Sequence, residues 1–219
     1  MTSPALTWVA GGSGLVGREL LRQLADAPVL ALVRRPLTGL PESAHRQETV
    51  VDLLHLPGTL PAPQRVYIAL GTTMAQAGSQ AAFRAVDFDA VLAVARAARE
   101  RGATQCAVVS ALGADARSGV FYNRVKGEAE AALIAHGFQR LVIARPSLLD
   151  GEREALGQPP RAGEAWSLRL ARPLAPLIPK AWRPIRADRV ARALRLALDQ
   201  PGPAVQVLES GDMQTLGAP

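Results

Sequence analysis

A chain of 219 residues, 48% hydrophobic and 20% charged, suits a single globular domain that buries its core without disulfides or structural metal. No apolar run approaches the roughly 18 residues that cross a bilayer, which excludes a transmembrane helix. The formal charge of +6 comes from arginine, since all but two of the 25 basic residues (Lys126 and Lys180) are Arg. No aromatic residues are interleaved with the arginines, and no zinc, helix-turn-helix or RNA-sheet signature occurs. Neither nucleic acid nor membrane is an expected partner.

The start, MTSPALTWVAGGSG, has no basic leader and no apolar core with a cleavage site; it reads as a mature chain beginning in a strand, and a cytoplasmic protein is expected. Seven apolar or β-branched runs follow: LTWVA (6–10), VLALV (29–33), TVVDL (49–53), RVYIAL (65–70), CAVVSA (106–111), LVIARP (141–146) and AVQVL (204–208). Amphipathic stretches at 16–25, 81–101, 122–136 and 188–198 lie among them. This alternation predicts an α/β fold, a doubly wound parallel sheet of the Rossmann type. The runs are continuous rather than alternating, as strands covered on both faces require. Cys106, inside one of them, reads as an inert buried thiol. The alanine-rich 81–101 helix packs on the sheet or against a second copy, which leaves a homodimer open. Residues 151–185, rich in Pro and Arg and carrying Trp166 and Trp182, break the rhythm and read as a small substrate-side cap within the one domain. Arg189, Arg192 and Arg195, opposite Val190, Leu194 and Leu198, read as a solvated helix face.

The first run leads directly into Gly11, Gly12, Ser13, Gly14, Leu15, Val16 and Gly17, a GxxGxxG turn between a strand and a helix. Glycine there allows a tight turn, close approach of a pyrophosphate and close packing of helix on strand, while the helix N-terminus offers free N–H groups. The second run ends in Arg34 and Arg35, where dinucleotide folds usually carry an acid for the ribose 2′-hydroxyl. Two guanidinium groups suit a 2′-phosphate, so NADP(H) is expected over NAD(H); the competing reading is two solvated arginines. Asp52 and Leu53 are placed to meet the adenine, with a surface-loop acid as the alternative for Asp52. The small residues of Leu70, Gly71, Thr72 and Thr73 let the chain pass under the cofactor ribose.

Ser110 ends the fifth run, and twelve residues later Tyr122 and Lys126 form a YxxxK pair that shares one helical face. A phenol titrates near 10, too high for acid–base work at neutrality, and an adjacent ammonium favours its ionised form. Tyr122 is thus a candidate acid/base, with Ser110 orienting the same substrate oxygen and Lys126 tuning the phenol and holding the nicotinamide ribose. His45, His55 and His136 have no partner at metal-ligand spacing, and no metal is expected. Glu128 and Glu130 read as solvated charge.

GGSGLVG, ALGTT, VVSALGA, YNRVKGEAE and ARPSLLDGER, in that order, resemble the atypical short-chain dehydrogenases/reductases, related to the NAD-dependent epimerase-dehydratases, and within them the small bacterial Tat-interacting oxidoreductase-like subgroup. The resemblance implies a dinucleotide along the strand ends, Ser110, Tyr122 and Lys126 as the catalytic set, and the backbone of Arg145, Pro146 and Ser147 near the nicotinamide. Two departures stand out. The Asn that many relatives use after the fourth strand has no counterpart in Arg84, Ala85, Val86, Asp87 and Phe88, and the short cap suits a small carbonyl or alcohol better than a nucleotide sugar. The resulting expectation is an NADP-dependent oxidoreductase with a small-molecule substrate. The rival is a non-catalytic NADP(H) sensor that reports to a protein partner.

Overall fold

The computed structural model describes residues 5–150 and 182–218. The first five strands are β1 (Thr7–Ala10), β2 (Val29–Val33), β3 (Arg46–Val50), β4 (Arg65–Ile68) and β5 (Gln105–Val109). They are followed by β6 (Arg140–Arg145), β7 (Leu149–Asp150), β8 (Ile185–Arg186) and β9 (Val205–Glu209). Seven of them build one sheet in the order β3-β2-β1-β4-β5-β6-β9, with every neighbouring pair parallel. The chain starts in the middle, winds out to β3, and returns beside β1 to build the other half. The strand order therefore reverses between β1 and β4, and crossover connections leaving in opposite directions open a crevice at the carboxyl ends there.

Successive side chains of a strand point to opposite faces, and two cores form accordingly. Trp8, Leu30, Val66, Ile68, Cys106, Val108, Leu141 and Ile143 face one side, against Val91, Val94, Ala95 and Ala98. Val9, Ala31, Tyr67, Ala107 and Val142 face the other, against Leu20 and Leu21 of α1 (Leu15–Gln23) and Val190, Leu194 and Leu198. The alanine-rich helical face is thus occupied by the sheet. The third strand lies at 46–50, not at the apolar run 49–53. It is an edge strand, pairing only with β2, and its RQETV sequence is partly or fully exposed, so hydrophobicity does not mark it.

The helical stretch expected at 81–101 is interrupted. A four-residue helix, α2 (Met74–Ala77), precedes α3 (Gln80–Arg84), a π-helical turn over Ala85–Ala90, and α4 (Val91–Glu100). A π turn inserts one residue into the helical register and is frequent at functional sites. Here it contains Asp87, which is buried. The remaining helices among the described residues are α5 (Phe121–Ala135), α6 (Ala187–Asp199) and α7 (Ser210–Leu216). Arg189, Arg192 and Arg195 on α6 are half-buried beside α1 rather than freely solvated, and Arg195 donates to the Gln23 carbonyl at 3.4 Å. Of the cap expected at 151–185, residues 151–181, Trp166 among them, lie outside the described residues. The two-residue strands β7 and β8 pair in parallel on either side of that segment, and Trp182 is exposed. Among the described residues no helix is long and apolar enough to cross a membrane.

Candidate active site

A cavity of about 1040 Å³ lies at the switch point, lined from β1 and β2 at one end to β5 and α5 at the other. β1 ends at Ala10, and Gly11 then takes a φ of 93°; a Cβ there would stand 2.4 Å from the Ala69 carbonyl oxygen, so both conformation and space demand glycine. Gly14 caps α1 with no side-chain hydrogen bond, and the first turn holds no acid. The N–H groups and the positive end of the helix dipole are therefore left unneutralised at the cavity wall. Gly17 does not line the cavity. A Cβ on it would lie 2.1 Å from the Gly11 carbonyl oxygen, so its role is to let α1 seat against the turn.

Ser13, Leu15 and Val16 line the same end, with Arg34 and Arg35 exposed at its rim. Buried Arg18 donates to the carbonyls of Thr38 and Gly39, 2.8 Å each, and so ties the loop after β2 to α1. Asp52 also stands at the rim. Its Oδ2 lies 2.9 Å from His55 Nδ1 and its Oδ1 accepts from the Leu54 N–H at 2.9 Å; chiefly through His55, its carboxyl is held below the usual range. Leu53, Leu70, Gly71 and Thr72 line the wall. Thr73 does not: its hydroxyl accepts from the Gln76 N–H and caps α2.

Ser110, Tyr122, Lys126 and Pro146 come together at the other end. The Tyr122 ring rests on the buried Phe83 ring, centroids 5.3 Å apart and tilted by 48°. Lys126 is buried, with its ammonium 2.7 Å from Asp87 Oδ1, while Asp87 Oδ2 accepts from the Thr72 N–H at 2.8 Å. Burial alone presses the ammonium to lose its proton. Asp87, aided by Tyr122 and Glu130, outweighs that, and the Lys126 pKa stands above its ordinary value. An ammonium has three donors, so pairing with Asp87 leaves two for other partners.

Asp87 is a residue that the sequence reading passed over. The segment 84–88 lacks the expected Asn, yet its acid reaches the lysine of the YxxxK pair. A signal was present, because Asp87 falls in step with Val91, Val94 and Ala98 on the buried face of the helix.

The reading of Glu130 as solvated charge is corrected. It sits one turn beyond Lys126 on the same face of α5 and is 5% exposed. It accepts a short hydrogen bond from the Ser110 hydroxyl and the fork of Arg145, whose Nη2 lies 2.6 Å from Oε2 and whose Nε lies 3.1 and 3.2 Å from the two oxygens. Arg145 also donates to Glu209 at 3.1 Å, and these bonds raise its pKa further. Glu128, two positions before Glu130 and on another face, pairs with Arg84 at 2.5 Å, partly exposed. Ser147, beside Pro146, lines the cavity while its hydroxyl donates to the Arg183 carbonyl and accepts from Ser210 at 2.9 Å.

No family model matches the chain. It is 44% identical over 153 residues to the protein FMP52, mitochondrial, of Eremothecium gossypii, covering 67% of each chain. The proteins of the same name from Coccidioides immitis and Candida albicans are 36% identical over 167 residues and 32% identical over 157 residues, each alignment covering 68% of this chain and 68% and 69% of theirs. Among solved structures, MoeE5 in complex with UDP-glucose and NAD superposes with a TM-score of 0.69 at 19% identity, covering 93% of this chain and 75% of that one. The UDP-N-acetylglucosamine 4-epimerase of Methanobrevibacter ruminantium gives 0.70 at 16% identity, covering 95% and 77%. The Bordetella bronchiseptica enzyme WbmG in complex with NAD gives 0.68 at 15%, covering 99% and 77%. These likenesses establish the Rossmann fold. The expectation of a cytoplasmic protein is overturned by the mitochondrial names of the sequence relatives.

Proposed function

The chain belongs to the FMP52 family, and from that premise and the cavity's geometry we propose that it is an NADP-dependent oxidoreductase of the short-chain dehydrogenase/reductase type, acting on a small carbonyl or alcohol. One observation carries the reading: Ser110, Tyr122 and Lys126 line one end of a single cavity whose other end is an uncapped glycine turn flanked by Arg34 and Arg35. The turn fits a pyrophosphate, since Gly11, Gly12 and Gly14 line the cavity without side chains and the helix N-terminus beyond them has neither a side-chain cap nor an acid in its first turn. The NAD named in the MoeE5 and WbmG structures agrees with such a ligand. The motif order further supports a place beside the Tat-interacting oxidoreductase-like proteins.

A nicotinamide dinucleotide bound here supplies or accepts the hydride. The chain's own residues handle the proton. Tyr122, steadied by Phe83, exchanges it with the substrate oxygen; Lys126, kept charged by Asp87, has donors left for the ribose hydroxyls. The two guanidinium groups at the rim favour a 2′-phosphate over a 2′-hydroxyl. Titration with NADPH and NADH, wild type against Arg34→Ala, tests this. A loss of about tenfold in NADPH affinity, worth about 1.4 kcal/mol, with NADH unchanged, is expected. Equal effects on both cofactors refute the 2′-phosphate assignment, and failure to bind either refutes the reading as a whole. The sensor alternative predicts cofactor binding without a Tyr122-dependent turnover, so Tyr122→Phe separates the two.

A further inference from the structure

Ser110 stands between two environments. One side of it lines the cavity, and behind it lies Glu130, which the cavity does not reach. A serine hydroxyl has a single proton and two lone pairs, and here the proton goes to Glu130. Arg145 holds Glu130 by a two-pronged contact from the far side, so that carboxylate cannot turn away. A hydrogen bond to a charged acceptor is worth about 1.5–3 kcal/mol against about 0.5–1.5 for a neutral one. A ketone oxygen entering the cavity therefore does not win the proton from Glu130. What Ser110 offers the cavity is lone pairs.

We propose that Glu130 is a positioning residue that makes Ser110 a hydrogen-bond acceptor toward the cavity, so that the site selects carbonyl compounds bearing a neighbouring hydroxyl group, and the matching vicinal diols. The proposal rests on the oxidoreductase reading and deepens it. The carbonyl oxygen of an α-hydroxyketone accepts from the Tyr122 phenol while its hydroxyl donates to Ser110. In the diol both oxygens keep those places. A plain ketone meets Ser110 with acceptor against acceptor and loses that contact.

The test compares 2,3-butanediol with 2-butanol for binding to the NADPH-loaded protein, where neither alcohol can be oxidised, by calorimetry or ligand-observed NMR. Turnover of 3-hydroxy-2-butanone and 2-butanone with NADPH is measured in parallel. The wild type is expected to favour the hydroxylated member of each pair by about tenfold. In Glu130→Gln, Arg145, a donor only, keeps the amide oxygen on its side, so the amide NH₂ faces Ser110, donates to it and frees its proton for the cavity. The preference then falls to about one or reverses. Ser110→Ala, which leaves Glu130 still held by Arg145, loses the preference as well and serves should Glu130→Gln fail to fold. A wild-type ratio near one, a ratio unchanged in both variants, or a loaded protein that engages none of the probes overturns the proposal while NADPH binding stands. Absence of NADPH binding overturns the underlying reading instead, and the proposal with it.

Discussion

Replacing Asp87 by Ala removes the counter-charge of a buried ammonium. The two side chains are 0% and 6% exposed and 2.7 Å apart. Breaking a buried pair by deleting one partner costs about 3–5 kcal/mol, because the remaining charge stays out of water without compensation. The Thr72 N–H loses its acceptor at the same time, adding about 1 kcal/mol. Asp87→Asn keeps the shape but has a single acceptor oxygen, so it retains only one of the two contacts while removing the charge, and should fall between wild type and Ala. Urea unfolding gives the numbers, and pH gives the mechanism. The Lys126 pKa in the fold lies above its unfolded value near 10.4. The stability this pairing contributes is therefore complete below that value and is lost as pH rises through the folded pKa. In Asp87→Ala only the weaker pull of Tyr122 and Glu130 opposes the burial cost, so the variant recovers relative stability once the amine is neutral in both states. The gap between wild type and variant should be widest near neutrality and narrow above about pH 10. A loss under about 1 kcal/mol, or a gap that ignores pH, would refute the ion pair as the cause.

Gly17→Ala places a methyl 2.1 Å from the Gly11 carbonyl oxygen, so α1 must back away from the turn. NADPH affinity should fall by at least about tenfold, and wild-type affinity in this variant, measured by cofactor titration, would dismiss the packing argument. Tyr67, fully buried in the core, has its phenol pushed up to about 12 by burial. The unfolded phenol ionises first, near 10, so this residue draws stability down by about 2–3 kcal/mol as pH rises from about 10 to 12. Tyr67→Phe should remove that part of the alkaline loss in denaturation measured across the window, and an unchanged slope would show that the phenol is not its source.

The glycine turn and the central strands were readable because their chemistry is local. Gly11 and Gly17 are demanded by backbone within a few ångströms, and β1 and β2 are buried throughout and almost wholly apolar because helices cover both their faces. β3 was misplaced because an edge strand needs no such signature. Asp87 was passed over and Glu130 misread for a different reason. An acid is classed as solvated by its type, whereas its fate here is decided by a cation on another element: Lys126 of α5 for Asp87, Arg145 of β6 for Glu130. Position on the buried helical stripe was the available clue, since Glu130 keeps step with Lys126 and Leu133, but the clue names no partner. The π turn that contains Asp87 leaves no compositional trace at all.

These pairings also give the cavity its electrostatic character. At the Ser110 end Lys126 and Arg145 are each matched by a buried acid, so the groups that line the cavity there beside them, Ser110 and Tyr122, carry no formal charge into it. At the other end, among the described residues, Arg34 and Arg35 have no acidic partner, and α1 opens without one. A ligand whose charge lies in phosphates at one end and whose reactive ring is small and nearly neutral at the other matches that gradient; a ligand charged at both ends does not. The buried acids thus do more than hold two cations in place. Under the proposed function they cancel charge where the substrate would react and leave it uncancelled where phosphates would bind, which sets the way round a dinucleotide would lie.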